Sequence, residues 1–167
     1  MLVPTPVPRF SARMTETSSQ AVLTQALIDP LYAEALGLAD EARGYFSQAG
    51  QDDRLDLEPM ERVLFSCESL KVTTRLMHVI SWLMVGKAVA AGEMTPEEAS
   101  VPERRLGFVE ASDEVREPRL TQLPAQARAL VRRSVDLYER VLRIEASLAH
   151  HGSGGARALQ DRLGEAF

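Results

Sequence analysis

The sequence predicts an all-α protein, an antiparallel three-helix bundle with a short extra helix, and three observations favour this class. Apolar residues make up 45% of the 167 residues but aromatic residues only 5%, a balance typical of Ala- and Leu-rich helices. Apolar residues also recur at three- and four-residue steps over long stretches, which is the spacing of one helix face. A chain of this length normally forms one domain around a single core.

The first helix is predicted over residues 30–49. Asp29 is a good N-cap, and Pro30 has the fixed φ that suits a first helical turn. Leu31, Ala35, Leu38, Ala42 and Tyr45 then share one face, and we expect Gly50 to end the helix.

The second helix is predicted over 57–91 and carries the longest periodic pattern. We call its repeating residues the heptad seam: Met60, Val63, Cys67, Leu70, Thr74, Met77, Ser81, Met84, Ala88 and Ala91. The spacing predicts that the heptad seam faces other helices of the bundle. At about 1.5 Å per residue this helix would be roughly 50 Å long. Gly92 is expected to close it.

The remaining helices follow from local signals. Thr95 to Glu98 form a capping box with proline at the first position, which predicts a short helix over 96–100. Pro124 opens the last helix, predicted over 124–149. Its repeating face consists of Ala127, Leu130, Ser134, Leu137, Val141, Ile144 and Leu148. The His-Gly-Ser-Gly-Gly run after His150 is expected to end it.

The predicted organisation is a mostly disordered leader over 1–28, a bundle domain over 29–149 and a flexible tail over 150–167. Between the short helix and the last helix, residues 101–122 show no lasting period and are predicted to form a long loop. Loops of that length inside a compact domain are often mobile or functional.

Charge and cysteine content narrow the function classes. The net charge of −5 and pI near 5.3 make nucleic acid a poor default partner. The arginines of the last helix, Arg128, Arg132, Arg133, Arg140 and Arg143, are interpreted as a flank that complements the acidic first hairpin, with a free basic strip as the other interpretation. One cysteine excludes an internal disulfide, and no window is apolar enough to cross a membrane, so we expect a cytoplasmic protein.

The chain offers no pattern that predicts a reaction. Cys67 lies on the heptad seam and is expected to be a small core residue. His78 has no second metal ligand one turn away, and Gly152, Gly154 and Gly155 lack the lysine of a phosphate loop. We therefore predict no catalytic, cofactor-binding or metal-binding residues and no cofactor.

A second apolar stripe on the long helix has two interpretations. The stripe consists of Phe65, Val72, Leu76, Val79 and Leu83, with Trp82 at its border. The stripe is core if this helix touches two neighbours, or a self-association surface if it exceeds what they cover. The candidate dimer or partner surface is accordingly predicted to contain Val72, Leu76, Val79, Trp82, Leu83, Arg132 and Tyr138.

The order of several segments resembles the alphaproteobacterial family named for the regulator of CtrA degradation. The segments are Asp-Pro-Leu-Tyr at 29–32, ESLKVTTRLMHVISWL at 68–83, Met-Thr-Pro-Glu-Glu-Ala at 94–99 and LYERVLRIE at 137–145. The resemblance covers roughly residues 15–148. It implies a three-helix bundle that forms homodimers, a cytoplasmic protein concentrated at a cell pole, and partners that include a protease complex, a response-regulator-type adaptor and cargo proteins.

Two functions from different classes remain open. The first, implied by the resemblance, is a non-enzymatic adaptor that helps deliver cell-cycle regulatory substrates to the ClpXP protease. The alternative is a helical-bundle enzyme or sensor that binds a metal or small metabolite in its core. A helical DNA-binding regulator that uses the arginines of the last helix is disfavoured by the acidic net charge.

Overall fold

The computed structural model describes the backbone of residues 10–107 and 117–164, and the side chains of 25–107 and 119–149. Within these residues the elements are α1 (Phe10–Gly44), a π-helical turn (Tyr45–Ala49), α2 (Gly50–Leu55), α3 (Pro59–Ala90), α4 (Pro96–Ala99), a 3₁₀ turn (Pro102–Arg104), α5 (Glu117–Leu120) and α6 (Ala125–Gly164). No strand occurs in the part of the chain that is described. The predicted all-α bundle is confirmed.

Helices α1 and α3 run antiparallel. The Lys87 ammonium pairs with the Asp29 carboxylate near one end of the bundle. The rings of Tyr45 and Phe65 lie 6.1 Å apart, between centroids, near the other end. The short connection through α2 therefore turns the chain back on itself.

Helix α6 runs antiparallel to α1 and in the same direction as α3. Arg75 Nη1 donates to Ser134 Oγ at 3.3 Å, and Trp82 Nε1 donates to Glu145 Oε1 at 3.1 Å, so residue numbers rise together along α3 and α6. Two helices that run the same way and follow each other in the chain need a connection that returns along the bundle. Residues 91–124 make this return.

Hydrogen bonds attach the start of the return connection to α3 and α6. The Leu106 N–H donates to Glu145 Oε1 at 2.7 Å, beside the Trp82 bond to the same oxygen. The Gly107 carbonyl accepts from the Tyr138 hydroxyl at 2.9 Å and lies 3.0 Å from His78 Nδ1. A Cβ at Gly107 would lie 2.5 Å from the His78 ring, so the close approach requires glycine.

The predicted loop over 101–122 is ordered where it is described. It contains the 3₁₀ turn and the short α5, and Leu106 and Leu120 are buried. Residues 108–116 lie outside the described residues. The loop thus contributes apolar side chains to the core at both of its described ends.

The first helix begins at Phe10, not at Pro30 as predicted, and Pro30 lies inside α1. Packing explains the difference. Ile28 is 2% exposed, and its Cδ1 is so close to Gly86 that an added Cβ there would lie 2.5 Å away. Asp29 pairs with Lys87 across the bundle instead of serving as the predicted cap.

The last helix, α6, continues to Gly164, past its predicted end at residue 149. The side chains after Ala149 lie outside the described residues. The division into a leader over 1–28, a bundle over 29–149 and a tail over 150–167 stays a prediction.

Two predicted helix ends are confirmed. Gly92 has φ +73°, and its N–H bonds the Val89 carbonyl while the Glu93 N–H bonds the Ala88 carbonyl, which is a Schellman motif closing α3. At α4, the Glu98 N–H donates to Thr95 Oγ1 at 3.2 Å and the Thr95 N–H donates to Glu98 Oε2 at 2.9 Å. These reciprocal bonds make the predicted capping box.

The core lies where α1, α3 and α6 meet. The predicted faces of the first and last helices are inside it, with buried residues Leu31, Ala35, Leu38, Ala42, Tyr45, Ala127, Leu130, Ser134, Leu137 and Val141. Leu148, predicted on the same face of α6, is 43% exposed. The core side of α3 is the second stripe, since Phe65, Val72, Leu76, Val79 and Leu83 are each at most 2% exposed.

Two charged side chains of α3, Glu68 and Arg75, are buried, at 4% and 2% exposed. Glu68 Oε1 contacts Lys71 Nζ at 3.2 Å, and Arg75 Nη1 donates to Ser134 Oγ of α6. Burial lowers the pKa of the Arg75 guanidinium, and the Glu68 carboxylate opposes this change. The carboxylate therefore compensates a positive charge that the core would otherwise disfavour.

The corner between α1 and α2 is held by Tyr45. Its ring packs at 5.2 Å from Phe46, between centroids, and its hydroxyl donates to Asp53 Oδ2 at 2.7 Å. A Cβ at Gly50 would lie 2.9 Å from the Tyr45 carbonyl oxygen. Gly50 is thus needed for close approach, although it does not end the helical run as predicted.

We expect Glu68→Leu to destabilise the protein by about 3 kcal/mol, because it leaves the buried Arg75 charge without its carboxylate. Adding Arg75→Met should recover much of this loss, since both charges are then gone. Urea denaturation of the two single variants and the double variant measures the coupling. Additive losses would show that the two charges act independently.

We expect Tyr45→Phe to reduce the free energy of unfolding by about 1 to 2 kcal/mol at pH 7, because the bond to Asp53 is lost while the ring stays. Burial, followed by the Asp53 bond and charge, raises the pKa of Tyr45. A raised folded-state pKa gives stability that is full below about pH 10 and is lost as pH rises further. Denaturation at rising pH should show this alkaline loss in the native protein and less of it in the variant.

Candidate partner-binding surface

The heptad seam is exposed in the structure. Its five large apolar residues each leave more than half of the side chain in solvent: Met60 78%, Val63 56%, Leu70 68%, Met77 61% and Met84 54%. Between them, Cys67, Thr74 and Ser81 are exposed as well. The prediction that this seam faces the other helices of the chain is wrong.

The cause is the position of α1 and α6, which both pack on the opposite side of α3. That side carries Phe65, Val72 and Val79, which lie on the face of the helix opposite the heptad seam. The bundle has no further long helix among its described residues to cover the seam. A contiguous apolar strip of this kind on a monomer marks an interaction site more often than chance exposure.

The predicted candidate surface is distributed differently. Val72, Leu76, Val79 and Leu83 are buried in the chain's own core, so a partner does not reach them while the bundle is folded. This corrects the interpretation of the second stripe as a self-association surface. The stripe is core because α3 touches two neighbours.

The other three predicted residues also have structural roles or lie apart. Trp82 is partly buried and bonds Glu145, and Tyr138 is 9% exposed and bonds Gly107. Arg132 is exposed on α6. A binding role for Arg132 stays a prediction.

Charges of α1 and α6 complement each other across the bundle. Arg133 Nη1 lies 2.6 Å from Glu41 Oε2, and the Arg140 guanidinium contacts the Glu34 carboxylate. These pairs match the interpretation of the arginines as a flank complementary to the acidic first hairpin. Each pair is at least one third exposed and contributes little to stability.

A shallow groove of about 440 Å³ lies between α1 and α6. It is lined by Leu27, Leu31, Arg140, Arg143, Ile144 and Ser147. Its apolar floor and two guanidinium groups offer no nucleophile with a neighbouring base. The groove therefore has the composition of a surface contact rather than of a reaction site.

Potential reactive groups are dispersed in the described part of the chain. No group of three or more His, Cys, Asp and Glu side chains there is placed to hold a metal ion. Cys67 is exposed, which corrects its prediction as a core residue, and His78 is bound to the Gly107 carbonyl. The side chains of His150 and His151 lie outside the described residues. Within the same limits, no helix has the length and apolar content that a membrane crossing requires.

Comparisons with known proteins identify relatives. A family model described as "Protein of unknown function (DUF1465)" matches residues 19–167. The crystal structure of RcdA from Caulobacter crescentus CB15 is similar, with a TM-score of 0.58 and 35% sequence identity, over 71% of this chain and 88% of that chain. A search of curated proteins found no match.

The family match covers most of the chain, and the identity to RcdA extends over most of that protein. The resemblance inferred from the four sequence segments is thereby confirmed. The chain belongs to the family of RcdA, the regulator of CtrA degradation.

Proposed function

We propose that this protein is a non-enzymatic adaptor that binds partner proteins and helps deliver cell-cycle regulatory substrates to the ClpXP protease. The likeness to RcdA supports an adaptor role in general. The exposed heptad seam is the observation that carries the proposal, since it gives the bundle a large apolar surface for protein contacts.

An adaptor needs no chemistry of its own. Holding a substrate beside a protease raises its effective concentration toward the millimolar range when the tether is short. A helical bundle with a packed core is a rigid domain to which such a tether can be attached. The described residues of this chain fit that requirement, because their polar groups serve helix caps, ion pairs and the return connection.

The proposed partners are a protease complex, a response-regulator-type adaptor and cargo proteins. The proposal includes a homodimer in the cytoplasm, concentrated at a cell pole, without nucleic acid or membrane as partners. The acidic net charge and the pairing of Arg133 and Arg140 with carboxylates disfavour a phosphate backbone as ligand.

The alternative, an enzyme or sensor with a metal or metabolite in its core, has less support. Leu38, Val72, Val79, Leu130 and Leu137 fill the space between the three long helices and are each at most 2% exposed. The groove of about 440 Å³ lies on the flank of α1 and α6 rather than in this core. A metabolite would therefore have to displace packed apolar side chains.

We expect the purified protein to accelerate degradation of cell-cycle regulators by an alphaproteobacterial ClpXP by about tenfold or more when substrate is scarce, because tethering replaces diffusion. Gel-based degradation assays with increasing amounts of the protein measure this effect. Degradation of an unrelated ClpXP substrate in the same tube is the control and should not change.

Two results would contradict the adaptor proposal. One is an unchanged rate for every regulator when the full set of candidate partners is present. The other is covalent change of a metabolite or substrate by the protein in the absence of protease.

A further inference from the structure

The groove between α1 and α6 is lined by residues of these two helices, and α3 does not contribute to it. At one end the Arg140 guanidinium contacts the Glu34 carboxylate. Because α1 and α6 run antiparallel, Leu27, seven residues before Glu34, lies level with Ser147, seven residues after Arg140. The groove therefore runs along the helices for about 10 Å, or two helical turns.

The Ser147 end of the groove is apolar. Leu27 is 49% exposed, and Leu148, one turn beyond Ile144 on α6, is 43% exposed. Leu31 lies between the helices and forms the floor. The described part of the chain leaves this apolar end in solvent, which is typical of a surface that contacts another molecule.

The two guanidinium groups of the groove differ in their partners. Arg140 contacts Glu34, and its Nε lies 3.3 Å from Asp136 Oδ2. Arg143 is exposed and has no ion-pair partner among the described residues. The groove therefore has one positive charge that is not neutralised, about halfway along its length. A carboxylate is the group that complements it.

The walls of the groove restrict the conformation of a bound peptide. The main chains of α1 and α6 bond internally, so they offer no edge to which an extended segment can add. An extended segment would also place its own N–H and C=O groups on an apolar floor without partners. A helix satisfies these groups itself and presents side chains only. A small molecule is disfavoured because a shallow groove does not enclose most of its surface.

We propose that the groove between α1 and α6 binds an amphipathic helix of a partner protein, with leucine-like side chains over Leu27, Leu31 and Ile144 and a carboxylate against Arg143. The inference rests on the proposed adaptor function. It deepens that function by assigning a docking surface and the chemistry of the partner, on a different face from the heptad seam.

The size of the groove indicates a reversible contact. Half the surface of a helix about 10 Å wide, over a length of about 10 Å, gives roughly 160 Å² per partner. Stable complexes bury about 800 Å² per partner, so this contact is far below the size of a permanent interface. A short helical motif of a protein that is bound and then released fits this area, whereas a permanent subunit does not.

Two synthetic peptides test the charge and the conformation of the ligand. Each has about 16 residues, is rich in alanine so that it can form a helix, and carries leucines at positions i, i+4 and i+7. The acidic peptide has glutamates beside the leucines, and the basic peptide has lysines at the same places.

By fluorescence anisotropy we expect the acidic peptide to bind the protein saturably, with a Kd of roughly 0.1 to 1 mM. It should bind about tenfold more tightly than the basic peptide, because only the acidic peptide complements Arg143. The net charge of −5 attracts the basic peptide non-specifically, so a preference for the acidic peptide reports a local positive site.

Three variants locate the binding site. Arg143→Glu should reverse the preference between the peptides, and Leu27→Asp should abolish binding of the acidic peptide. Arg105→Glu makes the same charge change at an exposed residue of the return connection and should leave both Kd values unchanged. Circular dichroism and urea midpoints equal to those of the native protein show that the variants fold.

Equal binding of the two peptides to the native protein, or no saturable binding of either, would overturn the proposal. Equal effects of Arg143→Glu and Arg105→Glu would do the same. Loss of peptide binding as the protein's own concentration rises would assign the groove to a second copy of the chain and contradict the assigned partner.

The ClpXP degradation assay separates this inference from the proposed function. Peptide binding without accelerated degradation would contradict delivery to the protease and leave the groove in place. Accelerated degradation by a protein that does not bind the peptides would refute the groove and leave the adaptor role in place.

Discussion

The packing of one side of α3 between α1 and α6 is the constraint on which the rest of the structure depends. Phe65, Val72, Leu76, Val79 and Leu83 are removed from water by this contact. Two helices cover only about half of a third helix's circumference. Since α3 is apolar on both sides, satisfying the core leaves the other side, the heptad seam, exposed. The fold and the exposed apolar seam therefore have one cause.

The same contact explains the unusual connection. Because α6 packs on α3 in the same direction, the chain has to return along the bundle between them. The Glu145 carboxylate and the Gly107 carbonyl each accept two hydrogen bonds in this return connection. These bonds attach the connection to both helices. The buried pair of Arg75 and Ser134 matches a polar position of α3 to one of α6, and a shift of either helix would leave the guanidinium without that partner. Polar contacts thus define the register that apolar packing alone leaves loosely specified.

Much of the fold was predictable because its signals are local. The capping box at Thr95 and the left-handed Gly92 lie within a few residues of the groups they satisfy, so sequence spacing suffices to recognise them. The buried face of α6 from Ala127 to Val141 was also predictable, because its other face is rich in arginine. The start of α1 was not, since Pro30 signals a first turn locally while the contact of Ile28 with Gly86 comes from another helix.

The candidate surface shows where periodicity reaches its limit. Both apolar stripes of α3 have helical spacing, and periodicity does not tell which one meets the chain's own helices. The two stripes differ in composition: the heptad seam contains Thr74 and Ser81, whereas the buried stripe has Phe65 and β-branched Val72 and Val79. Burying a hydroxyl in the core of a chain costs free energy unless it finds a hydrogen-bond partner. A surface that can retain water molecules tolerates hydroxyl groups better.

The distribution of side chains also bears on how an adaptor of this kind distinguishes its partners. Methionine and small residues dominate the heptad seam, and such surfaces adapt their shape but provide few directional bonds. Directional contacts have to come from polar groups elsewhere, and the ion pairs of Arg133 and Arg140 already occupy part of the α6 flank. Arg132 and Arg143 lie beside those ion pairs on α6. Arg143 also lines the groove between α1 and α6. Exposed apolar area and exposed charge are therefore largely separated on the described part of this molecule, with the former concentrated on α3 and the latter on α6.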